Sequence, residues 1–119
     1  MSSMLKTIAD LLTTESYVYI GERPLDSPDE CSVIKQIQGR PSQHVFDQQT
    51  AIFRQPTIVI TIRDSDFEDG YSRCEDIVGS LDGLTSSGIT MMLESDIITL
   101  GSDEKNRPEF MMIYRILLI

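Results

Sequence analysis

The sequence has little of the side-chain chemistry that metal sites and nucleic-acid sites require. Its 119 residues include one histidine, two cysteines and only 10 basic residues against 19 acidic ones, which gives a formal net charge of -9. The histidine, His44, has no cysteine or histidine partner at the spacing of a zinc site. No cluster of Lys and Arg is present to neutralise phosphates, so the composition argues against binding to nucleic acid or to an anionic membrane surface. We expect neither a bound metal nor another cofactor.

Long apolar runs and catalytic motifs are also missing. The longest apolar stretches, TIVITI and MMIYRILLI, are far shorter than the roughly 20 residues of a membrane-spanning helix, and the N-terminal stretch lacks the apolar region of a signal peptide. The sequence contains no G-x-S-x-G, G-x-x-x-x-G-K or G-x-G-x-x-G motif. We therefore predict a protein that is not an enzyme and does not enter a membrane. The two cysteines fit a reduced cytoplasmic protein, with Cys74 on an apolar helix face and Cys31 exposed in a loop.

The succession of helical and strand patterns predicts a single α+β domain over residues 1–119. Apolar residues spaced three and four apart favour helices at 3–13 and 66–81. Runs rich in β-branched residues favour strands, and TIVITI within residues 56–64 has the strongest signal. The other predicted strands lie at 16–21, 31–39, 86–96 and 108–119, the last two joined by the connection IITLGSDEKNR. This order predicts two helices packed on one face of a largely antiparallel sheet of four to five strands.

The acidic stretch RDSDFEDGYSRCED, residues 63–76, resembles a calcium-binding loop in the spacing of its carboxylates. Counted from the first aspartate, the sixth position must be glycine, but Asp69 occupies it and Gly70 comes one residue too late. Helical spacing begins in the same stretch, and Ser65 and Glu68 have the spacing of a capping box. We therefore predict the start of a helix, capped by Ser65, instead of a metal site. The inner face of this helix is predicted to carry Phe67, Tyr71, Cys74, Val78 and Leu81.

Residues 40–55, RPSQHVFDQQTAIFRQ, form a long stretch without a clear pattern. Long irregular connections within compact domains are commonly functional. One prediction is a protruding loop or hairpin that is disordered in the free subunit and orders against a neighbouring subunit or another partner. The alternative is that residues 51–55 only extend the following strand and bury Ile52 and Phe53. In the first case the candidate partner-binding residues are Phe46, Asp47, Gln48 and Gln49.

The charged turn GSDEKNRP, residues 101–108, supplies three further candidate partner-binding residues, Asp103, Glu104 and Arg107. Their spacing does not by itself require an interface. A solvated connection between the last two strands explains the same turn. Both interpretations stay open at this point.

Four separated stretches together resemble a known family: YIGERPLDSPDE, IKQIQGRPS, PTIVITIRDSDFEDGYSRCEDIVGSL and ITLGSDEKNRPEFMMIYRI. They contain, in order, a proline-rich loop after the first strand and a Q-x-x-G-x-P turn after the second. A strand that runs into an acidic helix start follows, and then an L-G-x-D turn before the last strand. This order, over nearly the whole chain, resembles the minor capsid and tail terminator proteins of long-tailed bacteriophages. Gly79 and Gly83 depart from the family pattern and are expected to loosen the end of the second helix.

The resemblance implies a structural protein of the virion. Proteins of this family assemble as a ring, typically a hexamer, at the head-proximal end of the tail. They stop polymerisation of the tail tube and offer a surface to the head connector or head-closure protein. DNA passes through the ring, and a channel with the negative charge of this chain would repel phosphate groups and let DNA slide. The implied partners are further copies of the chain, the tail tube protein and the head connector.

Two alternatives to a tail terminator remain open. The chain could be a head-closure protein or another minor capsid component with a similar fold. It could also be a small monomeric cytoplasmic adaptor or regulator that binds one protein of the host. A tail terminator or a head-closure protein is expected at the head–tail interface of the virion, and in the host cytoplasm before assembly.

Overall fold

The computed structural model describes residues 4–12, 15, 17–44, 51–86 and 88–118. Within them the chain forms two helices and six strands, an α+β fold as the sequence predicts. In chain order the elements are α1 (Met4–Leu11), β1 (Val18–Ile20), β2 (Cys31–His44), β3 (Ala51–Arg63), α2 (Phe67–Leu81), β4 (Thr85–Ser86), β5 (Ile89–Ser102) and β6 (Pro108–Leu118).

The six strands form one mixed sheet in the order β1-β2-β3-β6-β5-β4. Neighbouring strands are antiparallel, except that β1 runs parallel to β2. The predicted sheet of four to five strands is therefore at least one strand short, because the two-residue β4 is too brief to leave a pattern in the sequence. The direction of the three-residue β1 is likewise not encoded locally, since the pairing of so short a strand depends on tertiary contacts.

Two stretches that the sequence predicts as connections are strands in the structure. Residues 40–44 continue β2 and residues 51–55 belong to β3, so these two strands form one long antiparallel hairpin. The prediction of an irregular connection over residues 40–55 is wrong for this part. The alternative, that residues 51–55 extend the following strand, is confirmed for the backbone. β5 likewise runs through residues 97–102, which leaves residues 103–107 as the turn to β6.

Irregular pairing explains why the sequence pattern ends before the strands do. The register between β2 and β3 shifts three times from Ile37 to His44, and the register between β5 and β6 shifts three times from Leu93 to Gly101. Each extra residue in a strand interrupts the two-residue alternation of side chains between the faces of the sheet. The alternation that identifies a strand in a sequence is therefore lost while the backbone pairing continues.

Both helices pack on the same face of the sheet. The register pairs Ile60 with Met112 and Ile62 with Phe110 on this face, and all four side chains are fully buried. Helix residues belong to the same buried cluster, with Ile8 and Leu12 from the α1 region and Cys74, Ile77 and Leu81 from α2. Full burial of one such aliphatic side chain contributes about 1.5–3 kcal/mol to folding. We call this side of the sheet the covered face.

Helix α2 begins at Phe67, and its N-cap is Asp66, not the predicted Ser65. The Asp66 carboxylate accepts the backbone N–H of Asp69 at 3.1 Å, which satisfies a free amide of the first turn. The capping box predicted for Ser65 and Glu68 is therefore wrong. The physical reason is that Asp64 also forms a local turn: its carboxylate accepts the backbone N–H of Asp66 at 3.1 Å, and the Ser65 hydroxyl faces Asp64 instead of the helix.

The buried side of α2 is narrower than predicted. Of the predicted inner-face residues, Cys74 and Leu81 are confirmed as buried. Phe67 is 46% exposed, and Tyr71 and Val78 are half-buried at the border of the core. The complete buried side of the helix consists of Gly70, Cys74, Ile77 and Leu81.

Gly70, the glycine of the apparent calcium loop, allows α2 to approach the sheet closely. A Cβ atom at this position would lie 2.6 Å from Cε2 of Phe110 and 3.0 Å from Cβ of Asp64. The Phe110 ring is fully buried and packs against the rings of Phe67 and Tyr71, with centroid distances of 5.1 Å and 6.0 Å. A larger residue at position 70 would therefore have to displace a buried aromatic ring.

Both cysteines are buried and not joined in a disulfide. Cys74 lies in the core as predicted, and burial raises the pKa of its thiol to about 12. The prediction of an exposed Cys31 in a loop is wrong, because β2 begins at this residue. Cys31 pairs with Arg63 of β3 and is 1% exposed.

Candidate functional site

The loop of residues 22–30 joins β1 to β2 and holds a defined turn. Pro24 and Pro28 restrict the backbone, and the backbone N–H of Ser27 donates to the carbonyl oxygen of Pro24 at 3.1 Å. Leu25 lies within this turn and has a relative exposure of 108%, so no part of the described chain shields it. The loop therefore presents an apolar side chain to solvent on a restricted backbone.

Arg63 at the end of β3 anchors this loop to the sheet. The arginine is 5% exposed, so its guanidinium needs acceptors inside the protein. The loop supplies them: Arg63 donates to the carbonyl oxygen of Asp29 at 3.2 Å, to the hydroxyl of Ser27 at 3.0 Å and to the carbonyl oxygen of Pro28. Hydrogen bonds from one buried side chain to three successive loop residues fix the conformation of the loop.

The turn of residues 103–107 is tied to the same loop through Arg107. The Arg107 guanidinium lies 2.8 Å from Oδ2 of Asp103 and 3.0 Å from Oδ1 of Asp29. The Asp103 carboxylate also accepts the backbone N–H groups of Arg107 at 2.9 Å and Lys105 at 3.0 Å. These hydrogen bonds, led by the one from the Arg107 backbone, lower the pKa of Asp103 to about 2.

The structure places three of the seven predicted partner-binding residues beside Leu25. Asp103 and Arg107 bind each other and have side chains about 15% exposed, so they hold the turn together. Glu104 is exposed and lines, with Leu25, a shallow cavity of about 410 Å³. The other four predicted residues, Phe46, Asp47, Gln48 and Gln49, lie outside the described residues.

A buried ionic cluster, which the sequence does not reveal, lies on the covered face at the start of α2. Arg73 Nη1 is 2.8 Å from the Asp64 carboxylate, Arg73 Nη2 bonds the Glu15 carboxylate, and the Ser32 hydroxyl donates to Glu15. The side chains of Glu15 and Asp64 are 2% and 1% exposed. Burial opposes the charge of Arg73, but the hydrogen bonds to both carboxylates outweigh it and raise its pKa.

A cavity of about 390 Å³ lies next to this cluster, lined by Glu15, Tyr17, Ser65 and Arg73 together with residues 28–30. An anionic ligand would need an uncompensated positive charge there. Because the Arg73 charge is already matched by two carboxylates, the cluster does not offer one. We interpret it as a tie that joins α2 and β2 to the segment before β1.

The opposite side of the central sheet carries no helix within the part of the chain that the structure describes. One row across β2, β3 and β6 contains Lys35, Val59 and Ile113. None of these side chains belongs to the buried core cluster. We call this side the open face and define it by Lys35, Ile37, Thr57, Val59, Met92, Met111, Ile113, Arg115 and Leu117.

The open face is more apolar than a solvent-facing sheet surface should be. A sheet with one face in water shows strands that alternate apolar and polar residues, whereas strands covered on both faces are apolar throughout. β6 follows the second pattern, because FMMIYRILL is apolar at every position except its arginine, whereas in β3 only Val59 is apolar on the open face and its neighbours Thr57 and Thr61 are polar. Of its apolar side chains, Ile37 is exposed, Met92, Met111, Ile113 and Leu117 are half-buried and Val59 is buried. An apolar patch of this kind is a candidate contact surface.

Arg115 lies on the open face, where it forms a loose ion pair with Glu94 and a weak hydrogen bond to Met92. Its Nε atom is buried and has no hydrogen-bond partner in the described part of the chain. The carboxylate of Glu94 is 3.8 Å from Nε, beyond hydrogen-bond distance, and Nη2 is 3.8 Å from the sulfur of Met92. A buried donor without an acceptor costs free energy.

Sequence reasoning missed the open face, although the signal was present. The apolar run of β6 points to a strand covered on both faces, but two short helices suffice to cover only one face of the sheet. Comparing the number of apolar strand faces with the number of available helices would have indicated an uncovered surface.

A metal site, a membrane-spanning helix or a known relative would also indicate function. No group of three or more histidine, cysteine, aspartate or glutamate side chains lies close enough there to hold a metal ion. Neither of the two described helices is long and apolar enough to cross a membrane. The sequence matches none of the protein-family models with which it was compared, and no curated protein is similar enough to count as a relative. Function must therefore be inferred from the surfaces of the molecule.

Proposed function

We propose that the chain is a structural protein of a bacteriophage virion, a tail terminator at the head–tail joint. In this role it assembles as a ring, six-fold as in the resembled family, stops polymerisation of the tail tube and docks the tail to the head connector. The proposal rests on the sequence resemblance together with one structural observation, the open face. It assigns the protein a role in assembly and no catalytic reaction.

The open face supports a role in assembly because it is built for contact and not for solvent. Val59 and Ile113 pair directly across β3 and β6 on this face, and Met111, Leu117 and Met92 extend the apolar area around them. Methionine and arginine are enriched at protein interfaces, and the open face carries Met92, Met111 and Arg115. A monomeric adaptor would have less reason to leave apolar side chains of four strands without a covering element.

The acidity of the chain suits a ring through which DNA passes. The net charge of -9 is carried by 19 acidic residues, and exposed carboxylates occur on α2 and on the loop of residues 22–30. A negatively charged lining repels the phosphate backbone, so DNA can move through without adhering. The same charge opposes stable binding to nucleic acid.

Electron microscopy of phage particles tests this function directly. A labelled copy of the protein is expected at the junction of head and tail. Particles made without the protein are expected to show tails of uncontrolled length with no heads attached. Label elsewhere in the particle, or tails of normal length in its absence, would contradict a tail terminator.

The same experiment separates the alternative functions. Tails of normal length that remain separate from filled heads would favour a head-closure protein. Complete absence of the protein from purified particles would favour a cytoplasmic adaptor or regulator. A matched control is a particle made with the Leu100→Ser variant, which changes an exposed leucine of β5 outside the open face.

A further inference from the structure

A groove runs between helix α2 and strand β5 on the covered face. α2 packs against β3, β5 and β6, whereas α1 packs against β1 and β2, so no second helix lies beside the outer flank of α2 in the described structure. The groove has a volume of about 280 Å³. We call it the α2–β5 groove, and it is lined by Tyr71, Glu75, Val78, Gly79, Asp96 and Ile97.

The floor of the α2–β5 groove is apolar and open. Tyr71, Val78 and Ile97 are half-buried and pack against the core. Apart from its chain neighbours and its own helix backbone, a Cβ atom at Gly79 would meet no atom within 4 Å. α2 continues through Gly79 to Leu81, so the helix would accept a larger residue there, and glycine weakens a helix. The glycine therefore leaves room for a side chain of another molecule.

Two carboxylates without a positive partner border the groove. Glu75 of α2 is exposed, and Asp96 of β5 is half-buried. The Asp96 carboxylate accepts the backbone N–H of Ile97 at 2.7 Å, but neither carboxylate forms an ion pair within the described residues. No lysine or arginine is among the described residues that line the groove. Its negative charge is therefore uncompensated, unlike that of the buried ionic cluster at Arg73.

Two aromatic rings lie at the Tyr71 end of the groove. The rings of Phe67 and Tyr71 are stacked, with a centroid distance of 6.2 Å and an interplanar angle of 14°, and Phe67 is exposed. The face of an aromatic ring attracts a cation. Lysine and arginine also bury an apolar stem while their charged end stays with polar groups. A basic side chain thus matches the apolar floor, the rings and the carboxylates together.

We propose that the α2–β5 groove binds a basic side chain, arginine or lysine, of a partner protein. The stem of this side chain lies on the apolar floor at Gly79, and its cation lies between the carboxylates of Glu75 and Asp96. Further exposed carboxylates on α2, at Asp69 and Asp76, favour the same occupant, because an acidic surface attracts a basic partner surface from a distance. This contact goes beyond the proposed place in the virion and does not require it. A free polyamine is the competing occupant.

NMR titration of the isotope-labelled full-length chain tests this contact. The probe is a blocked tripeptide with arginine at its centre, and the same tripeptide with glutamine is the neutral control. The arginine peptide is expected to shift the backbone amide signals of Tyr71, Glu75, Gly79 and Ile97, and the glutamine peptide is not. Absence of these shifts up to about 10 mM arginine peptide would overturn the proposal.

Two neighbouring carboxylates of α2 provide a matched comparison. Glu75→Gln removes a charge from the groove and is expected to raise the dissociation constant of the arginine peptide by about two- to fivefold, as for other exposed ion pairs. Asp76→Asn removes the same charge from an exposed position that does not line the groove, and is expected to change the dissociation constant clearly less. Equal effects of the two substitutions, or shifts spread evenly over the acidic surface, would show only a general attraction of charge and would overturn the groove as the site.

Filling the groove separates loss of binding from loss of folding. Gly79→Leu places a side chain in the open space and replaces a poor helix former by a good one. The variant is therefore expected to melt no lower than the wild type, while its affinity for the arginine peptide falls by about tenfold or more. Ser80→Leu adds the same side chain at an exposed position outside the groove and is expected to bind like the wild type. Unchanged binding by Gly79→Leu would overturn the proposal.

A comparison at equal charge identifies the source of the cation. A blocked peptide with three arginines is expected to bind more tightly than spermidine, a free polyamine, because only the peptide brings guanidinium groups that stack on aromatic rings. Tighter binding of spermidine at the amides of the groove would overturn a protein as the partner. The microscopy of labelled particles decides the virion function independently of these results.

Discussion

The covered face and the open face come from alternate residues of the same strands, yet they meet very different surroundings. On β3 and β6, Ile60 and Met112 are fully buried under the helices. Their sequence neighbours Val59 and Ile113 point the other way and have no helix over them in the described structure. Apolar residues on one face of a strand therefore indicate that this face packs against another surface, whether that surface belongs to the same chain or to a different one.

The two faces also differ in how their arginine side chains are paired. On the covered face, Arg73 bonds both Glu15 and Asp64. On the open face, the Nε atom of Arg115 has no hydrogen-bond partner among the described residues. The arginine of the covered face is thus held by two close carboxylates, whereas Arg115 has only the more distant carboxylate of Glu94. The covered face also keeps one unpaired polar atom among the described residues, the buried hydroxyl of Tyr114.

The largest expected effect is the loss of the buried ionic cluster. Arg73→Ala leaves two buried carboxylates without their partner and is expected to lower the free energy of unfolding by about 3–5 kcal/mol. Arg115→Ala, the matched change on the open face, is expected to cost less than about 1 kcal/mol in the isolated chain. Urea unfolding of both variants checks the contrast, and equal losses would contradict it.

A matched pair of isoleucines compares the apolar contacts of the two faces. Ile60→Ala creates a cavity under the helices and is expected to cost about 2–5 kcal/mol. Ile113→Ala, in the adjacent strand but on the open face, is expected to cost clearly less because its side chain is only half-buried. Thermal unfolding gives both values. A larger loss for Ile113→Ala would mean that the open face is covered within the chain.

A smaller effect distinguishes the two residues that could cap α2 on the covered side. Asp66→Ala is expected to lower the free energy of unfolding by about 0.5–2 kcal/mol, because it removes the acceptor for the backbone N–H of Asp69. Ser65→Ala removes no capping bond and is expected to change stability by less than about 0.5 kcal/mol. The reverse order in urea unfolding would restore Ser65 as the cap.

The smallest expected effect is a pH dependence of the turn beside the open face. The folded-state pKa of Asp103 is about 2, below its ordinary value of 3.8, so its carboxylate stabilises the folded state above the ordinary value. That stability is lost as the pH falls from about 4 to about 2. The wild type is therefore expected to melt above Asp103→Asn at neutral pH, with a difference that shrinks over this range. A difference that is unchanged at low pH would contradict the assignment.

The sequence was sufficient for the elements with strong local signals. The apolar spacing of α2 and the β-branched run TIVITI identify a helix and a central strand, and both lie where predicted. The two helices on one face of a sheet follow from the order of the elements. These features depend on residues close together in the chain, so a local pattern can reveal them.

The remaining features depend on contacts between distant residues. Glu15 and Arg73 lie 58 positions apart, and Asp29 and Arg107 lie 78 positions apart. No local pattern shows that either pair will meet. Of the candidate site, the turn with Asp103, Glu104 and Arg107 could be identified by its composition, whereas Leu25 and the open face required the structure.

Most of the length of β2 and β5 forms the edges of the sheet, because the outermost strands β1 and β4 are only three and two residues long. Regular, flat strand edges recruit further strands and start fibrous aggregation. The pairing of β5 with β6 shifts register three times. The backbone N–H groups of Leu93 and Ile97 donate hydrogen bonds to the carboxylates of Asp82 and Asp96, respectively. The pairing of β2 with β3 also shifts register three times, and β2 contains Pro41, which has no N–H to donate. If the chain assembles as proposed, these features would protect a pool of unassembled chains against growth from its strand edges and leave the apolar surface between those edges free.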